Sequence, residues 1–242
     1  SNLVNKEGRL LARYRDGHAG FPAYLDDYAF LAWGLIELYE STFKAEYLKK
    51  ALELTEEMLE LFWDEENGGL FFNGKYSEEL IIRSKEIYDG AIPSGSSVAA
   101  LNLIKLSRIT GDVKFSDKAW QLFSAFAENV SSHPSAYAFL LTALSLAFDS
   151  SNEIVIVGNI DGTDTQAFVD KMRSYYMPST IMIFNPGGVQ GRELESLIPF
   201  IKEMRPVNNK ATLYVCQNYA CKSPTTNMKD LEEIFGQAVQ RV

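Results

Sequence analysis

Residues 83–97 concentrate charged and hydroxyl side chains between two stretches with helical periodicity. The charged residues are Arg83, Lys85, Glu86 and Asp89. Glycine and proline at positions 90, 93 and 95 allow a sharp bend, so these side chains can converge on one site. Two carboxylates in unlike environments can divide the roles of general acid and general base, while the cations bind a polar substrate. The alternative is an ion network that only ties the loop down, because such networks also perturb pKa values.

A second acidic pair, Asp26 and Asp27, opens the first strongly periodic helix. Acidic side chains in a first turn meet free backbone amides and the positive end of the helix dipole, which predicts helix capping. Adjacent helical residues point about 100° apart, so one of the two can cap while the other faces a cavity. The aromatic neighbours Phe21, Tyr24 and Tyr28 suit either a sugar-stacking wall or an ordinary core.

The histidines and cysteines carry weaker signals. His18 lies in a glycine-containing segment before the first helix, which we predict to be flexible, and no Cys/His spacing suits zinc. Cys216 and Cys221 have four residues between them, whereas redox pairs usually have two. Two thiols are favoured over a disulfide. We expect no metal and no cofactor.

The composition excludes several classes of protein. A net charge of −9 argues against a nucleic-acid partner, which would need clustered lysine and arginine. No apolar run is long enough to predict a membrane span. Two cysteines in 242 residues is typical of a cytosolic protein, so we expect a cytoplasmic location. Ser1-Asn2 resembles the remnant of a cleaved purification tag, so we expect the natural chain to begin upstream.

The candidate residues must be positioned by helices, because residues 25–148 carry helical periodicity. Part of this region repeats at 68 positions, in the pairs Leu35 and Leu103, Leu38 and Leu106, Thr42 and Thr110, Tyr47 and Phe115, Ala51 and Ala119, and Leu54 and Leu122. The repeating unit is therefore a helical hairpin with a long connection, since a tetratricopeptide array repeats at about 34 residues. Within that connection, residues 70–72 and 80–82 are predicted to form a short β-ribbon.

The pattern changes after Phe148. Apolar strands at 153–158, 180–184 and 211–216 alternate with helical stretches near 163–175, 192–204 and 228–239. This alternation predicts a small parallel sheet covered on both faces. The fold class is then mainly α plus α/β, with a helical domain over residues 1–149 and a small three-layer α/β domain over residues 150–242.

Four motifs resemble one family. They are Tyr24-Leu-Asp-Asp-Tyr-Ala-Phe30, Gly68-Gly-Leu-Phe-Phe72, Lys85-Glu-Ile-Tyr-Asp-Gly-Ala-Ile-Pro-Ser-Gly95 and Val215-Cys-Gln-Asn-Tyr-Ala-Cys221. The family is the spermatogenesis-associated protein 20 type, whose members contain a thioredoxin-like domain. The resemblance spans nearly the whole chain and implies the C-terminal region of a longer protein. Its thioredoxin-like domain and earlier helical hairpins would lie upstream.

The helical region of that family is similar to the six-hairpin (α/α) toroids of glycosidases and N-acylglucosamine 2-epimerases. There, the ends of inner helices form a central acidic, aromatic pocket. By this analogy the helical domain is a partial toroid, and Asp27, Glu86 and Asp89 are its catalytic candidates. The implied substrate-binding residues are Tyr24, Tyr28, Arg83, Lys85, Tyr88 and Ser94. One departure is Ser96, where the family pattern Ser-Gly-Asn-Ser has an asparagine.

Two functions follow from the resemblance. The first is a carbohydrate-active domain, of glycosidase or epimerase type, acting on a sugar or another polar small molecule. The alternative is a non-catalytic helical scaffold or binding module that serves the upstream thioredoxin-like domain. Whether the chain is an enzyme stays open at this point. A partial toroid leaves apolar helix faces at its cut edge, so self-association through that edge is also expected.

Overall fold

The computed structural model describes residues 3–76, 82–149, 152–217 and 220–235. It divides into two compact units. The first comprises Ser1–Tyr39, Glu46–Ser107 and Asp112–Phe148, and the second comprises Glu40–Ala45, Arg108–Gly111 and Asp149–Val242. Most of the helices belong to the first unit, and the second contains a small mixed sheet.

A β-hairpin precedes the first helix. Its strands are β1 (Leu11–Arg15) and β2 (His18–Pro22), which pair antiparallel. Asp16 and Gly17 between them both have positive φ, the geometry of a two-residue turn that matches the twist of the strands. The prediction of a flexible segment around His18 was therefore wrong. The Asp-Gly pair was the signal in the sequence for this hairpin.

Two helical hairpins follow the predicted repeat. They consist of α1 (Leu25–Thr42) with α2 (Ala45–Phe62), and α3 (Gly95–Thr110) with α4 (Val113–Ala125). The ends of α1 and α3, and the starts of α2 and α4, each lie 68 positions apart. Every residue of α3 except Lys105 is buried, so this helix is surrounded by other elements.

The rest of the helical unit departs from the prediction in two places. The helical periodicity of residues 25–148 is interrupted after α4, where the short α5 (Ala127–Ser132) and a 3₁₀ turn precede α6 (Ala138–Phe148). Within the described ranges, residues 70–72 belong to no strand, and Leu70 makes an isolated bridge to Trp63. Residues 80 and 81, in the other strand of the predicted β-ribbon, lie outside the described residues.

The sheet of the second unit is mixed, which corrects the prediction of a parallel sheet. Its strands are β3 (Asn152–Val157), β4 (Thr180–Asn185), β5 (Thr212–Gln217) and β6 (Ala220–Cys221), in the order β4-β3-β5-β6. Strand β4 is parallel to β3, whereas β5 is antiparallel to it. Thr212 begins β5 opposite Val157, at the edge where β3 ends. The segment before β5 has thus returned the chain to the edge where β3 ends. The apolar content of a strand does not reveal its direction, so the sequence pattern could not predict this reversal.

Helices α7 (Thr163–Arg173), α8 (Gly188–Leu197) and α9 (Met228–Phe235) complete this unit. Its core includes Ile154, Phe168, Met172, Leu213 and Leu231. Among the described residues, no helix has the length and apolar character that crossing a bilayer requires.

The cysteines form a disulfide, so the preference for two thiols was wrong. Cys216 on β5 and Cys221 on β6 are paired directly across the antiparallel strands. Partners in such a pair lie close enough for their sulfur atoms to bond. The spacing of four intervening residues therefore marks a strand pairing rather than two separate thiols.

Candidate functional site

Asp89 joins the loop before α3 to the first turn of α6. One of its carboxylate oxygens accepts the Ser94 N–H at 3.0 Å, and the other accepts the N–H groups of Phe139 and Leu140 at 2.8 and 3.0 Å. The Asp89 N–H in turn donates to the Ala136 carbonyl at 2.9 Å. Free amides and the positive dipole end favour a carboxylate at the start of a helix. Both oxygens of Asp89 are therefore engaged by backbone donors.

The two acids at the start of α1 have different partners. Asp27 reaches back and accepts the Tyr24 N–H at 2.8 Å, which caps the helix. Asp26 instead accepts the N–H of Gly95, the first residue of α3, at 3.0 Å. Asp27 was predicted to be the acid that faces a cavity, but Asp26 is the one that extends to another helix. Only this contact, across 69 positions, distinguishes the two acids.

Asp26 also has an unusual electrostatic environment. Burial raises the pKa of this half-buried carboxyl, the Gly95 N–H opposes the rise, and the negative charges of Glu86 and Asp27 add to it. Glu86 is exposed, and its carboxylate has no hydrogen-bond partner among the described residues. The Asp26 carboxyl group thus senses the charge of Glu86, and the two groups lie in unlike environments.

Arg83 does not join these acids. Its guanidinium donates to the Asn73 carbonyl, with the Nε nitrogen at 3.2 Å, and lies 4.1 Å from the centre of the Phe71 ring. A second nitrogen of the guanidinium lies 3.5 Å from the Leu61 carbonyl at the end of α2. The side chain therefore fastens the connection after α2 to that helix.

Lys85 braces the same connection. Its Nζ lies 2.6 Å from a carboxylate oxygen of Asp64 and 2.6 Å from the Gly68 carbonyl. The ammonium group of Lys85, together with the N–H groups of Glu66 and Asn67, holds the pKa of Asp64 well below its usual range. The two cations and Asp89 thus engage different elements, so the predicted convergence of these side chains on one site was wrong.

Two predicted substrate-binding residues have their hydroxyl groups engaged inside the helical unit. The buried Tyr28 donates to Glu57 at 3.0 Å and accepts the Leu10 N–H at 3.1 Å. Burial, reinforced by Glu57, raises the pKa of Tyr28 to about 12. The Ser94 hydroxyl accepts the Ser97 N–H at 3.1 Å, which caps α3.

Two other predicted aromatic residues remain accessible. The Tyr24 ring is 37% exposed and stacks on Phe72 with 4.9 Å between ring centres. Tyr88 is 68% exposed. Of the predicted site residues, the exposed ones are therefore Tyr24, Tyr88 and Glu86.

Two cavities lie in the helical unit, and the smaller is lined in part by the predicted substrate-binding residue Tyr28. The larger, of about 260 Å³, is lined mainly by apolar side chains of α4, α5 and α6, including Trp120, Leu144 and Phe148. The smaller, of about 30 Å³, adjoins Tyr28 and Phe62. Within the described ranges, no group of three or more His, Cys, Asp or Glu side chains could hold a metal ion.

Comparison with known proteins identifies relatives along most of the chain. It is 36% identical over 213 residues to spermatogenesis-associated protein 20 of Homo sapiens, which covers 88% of this chain and 27% of that protein. The rat and mouse proteins of that name are 35% and 34% identical over 215 residues, with the same coverage. The match falls on the C-terminal region of the relatives, so the chain spans about a quarter of their length. No family model matches it.

Proposed function

Because this chain matches the C-terminal region of the spermatogenesis-associated protein 20 family, we propose that it is a non-catalytic helical platform within a longer protein. On this proposal, the charged segment at 83–97 holds the first turns of α1, α3 and α6 together. The platform then presents partners or substrates to the thioredoxin-like domain that the family resemblance implies. The contacts of Asp89 with three backbone N–H groups carry the proposal.

A general base must direct a free lone pair at the proton that it removes. Both oxygens of Asp89 already accept backbone hydrogen bonds, and Asp27 is engaged by the Tyr24 N–H. The cations that would bind a substrate, Arg83 and Lys85, are directed at main-chain carbonyls and at Asp64. These contacts are what a structural network requires, and they occupy both oxygens of Asp89 and one oxygen of Asp27 with backbone donors.

A matched pair of charge-neutralising variants tests the platform. Asp89→Asn should lower the free energy of unfolding by about 2 kcal/mol, because its amide group would face at least one backbone N–H that loses its acceptor. For a chain of this size, the melting temperature would fall by roughly 4–8 °C. Glu86→Gln should change the free energy of unfolding by less than about 0.5 kcal/mol, because the side chain is exposed. Urea unfolding and thermal melts followed by circular dichroism measure both.

The same two variants also have an outcome that would contradict the proposal. If Asp89→Asn were as stable as the parent chain, the carboxylate would not be needed as a structural acceptor. A role for Asp89 in binding or chemistry would then become the better explanation.

The pair formed by Asp26 and Glu86 favours a second candidate, a carbohydrate-active site of the glycosidase or epimerase type on a partial six-hairpin toroid. A carboxyl group with a raised pKa beside a solvated carboxylate is the pattern of an acid and its partner. The exposed rings of Tyr24 and Tyr88 would stack on a sugar. Asp26 then takes the acid–base role predicted for Asp27 or Asp89, and Glu86 keeps the partner role predicted for it.

A panel of monosaccharides and oligosaccharides, tested by thermal shift, separates the two candidates. A sugar present at 100 times its Kd would stabilise the chain by about 2.7 kcal/mol under the second candidate. That increment should disappear in Asp26→Asn and Glu86→Gln but persist in Asp27→Asn, whose side chain only caps α1. The quantity compared is the increment caused by the sugar, so a change in the basal stability of a variant does not confuse the result. Absence of any increment across the panel supports the platform.

A further inference from the structure

The disulfide lies at one edge of the sheet in the second unit. The strand order is β4-β3-β5-β6, and β6 consists of Ala220 and Cys221 alone. Cys221 is exposed, whereas Cys216 on β5 is fully buried. On its other side, Cys216 lies opposite Glu153 of β3 in the antiparallel register. The two cysteines therefore differ in access, because a reagent in solution reaches Cys221 and not Cys216.

Main-chain hydrogen bonds hold this edge of the sheet together beside the disulfide. The Lys222 N–H donates to the Val215 carbonyl at 2.9 Å, and Leu213 and Thr225 exchange N–H···O bonds of 2.8 and 3.0 Å. The loop between the cysteines has only four residues, and short loops constrain the unfolded chain least. The segment after Cys221 should therefore stay paired with β5 when the disulfide is reduced.

We propose that Cys216 and Cys221 are a redox-active pair, reversibly reduced by an external dithiol that attacks the sulfur of Cys221. Two observations carry the inference. Exposed disulfides are the ones that thiols reduce most readily, and Cys221 is exposed. The main-chain pairing beside the disulfide also lets the fold tolerate both oxidation states. The inference concerns the second unit and does not rest on the platform role of the helical unit.

The exchange follows from the difference in access between the two sulfur atoms. A thiolate of the dithiol attacks the Cys221 Sγ, the disulfide bond breaks, and its electron pair passes to the Cys216 Sγ. The Cys216 Sγ takes up a proton, because burial disfavours a thiolate. The second thiolate of the reductant then attacks the mixed disulfide and releases Cys221, which is protonated in turn. The chain has gained two electrons and two protons, and the dithiol has lost the same and become a disulfide.

Dithiothreitol, applied at neutral pH without denaturant, tests the exchange. Samples are quenched with acid, alkylated with N-ethylmaleimide in urea and read by mass spectrometry, while circular dichroism follows the fold. We expect both cysteines to become alkylated with the circular dichroism spectrum unchanged, and oxidised glutathione to restore the disulfide. A disulfide that is reduced only in urea, or whose reduction unfolds the second unit, would overturn the proposal because it would be structural.

The single variants Cys216→Ser and Cys221→Ser test which sulfur is attacked. Each leaves one thiol, since the chain has two cysteines. With a chromogenic aromatic disulfide reagent, the Cys221 thiol of Cys216→Ser should react roughly ten-fold faster or more than the Cys216 thiol of Cys221→Ser. The rates should converge in urea, because the difference comes from burial. Equal rates in variants that circular dichroism shows to be folded would overturn the assignment of Cys221. Reduction of the parent chain tests the exchange without any variant.

Discussion

Replacing Asn102 with aspartate is expected to lower the free energy of unfolding by about 3–5 kcal/mol at neutral pH, the cost of an unpaired buried charge. The side chain is fully buried and its amide donates to the Ala29 carbonyl at 2.8 Å. A carboxylate of nearly the same shape has no N–H to donate and would face that carbonyl with a negative charge. The amide oxygen of Asn102 has no hydrogen-bond partner among the described residues, so no donor is in place to stabilise the charge.

The loss of stability caused by Asn102→Asp should depend on pH in a defined direction. Burial would raise the pKa of the introduced carboxyl above its unfolded value of about 3.9. The deficit relative to the parent should be smallest below about pH 4, where both states are protonated, and should grow as the pH rises toward the folded pKa. Urea unfolding of the parent chain and of the variant, at neutral pH and below about pH 4, measures this deficit. The control is Asn102→Leu, which has the same branching and no charge and should cost less than the aspartate at neutral pH. Equal losses for the two variants at neutral pH would contradict the argument from charge.

The substitution Gly95→Ala is expected to have the second-largest effect, a loss of about 2–4 kcal/mol from overpacking and a displaced hydrogen-bond acceptor. A Cβ at Gly95 would lie 2.2 Å from a carboxylate oxygen of Asp26 and 3.0 Å from the Asp26 backbone nitrogen. The carboxylate must then move away, which leaves the N–H at the start of α3 without its acceptor. The crowding involves main-chain atoms of α1 as well, so rotation of one side chain does not relieve it.

The control for Gly95→Ala is Gly34→Ala, the same chemical change in open space on α1. Alanine has the higher helix propensity, so this variant should be about 0.5–1 kcal/mol more stable than the parent. Chemical unfolding of the two variants should therefore show shifts of opposite sign. Two shifts in the same direction would mean that the Asp26–Gly95 approach does not govern the effect.

The repeat was predictable because its two hairpins have the same types of residue at equivalent positions. Thr42 and Thr110 end their first helices at equivalent positions, and periodicity within each helix is a local property of the sequence. The direction of β5 was not predictable, because an apolar strand buried in a sheet reads the same in both directions. The pairing of Cys216 with Cys221 was missed for the same reason, since it depends on that antiparallel register.

The sequence indicated which charged residues lie together in the chain, but it did not indicate which groups their side chains contact. The charged segment at 83–97 does connect helix ends, as its composition indicated. Its cations, Arg83 and Lys85, instead contact main-chain carbonyl groups and Asp64. The spacing of these residues in the sequence does not predict those contacts. Asp26 and Asp27 have the same chemistry and adjacent positions, and only the fold assigns one to a cap and the other to α3.

The Asp89 contacts have a consequence for how the helical unit unfolds. Linear arrays of helical hairpins can lose their terminal repeats one at a time, because each repeat contacts only its neighbours. Here the carboxylate of Asp89 accepts the N–H of Phe139, 50 positions away, as well as that of Ser94, and Asp26 joins α1 to α3 across 69 positions. Melting any one of these helix starts withdraws a bonding partner from the others. The hairpins are thereby coupled into one cooperative folding unit rather than a row of independent ones.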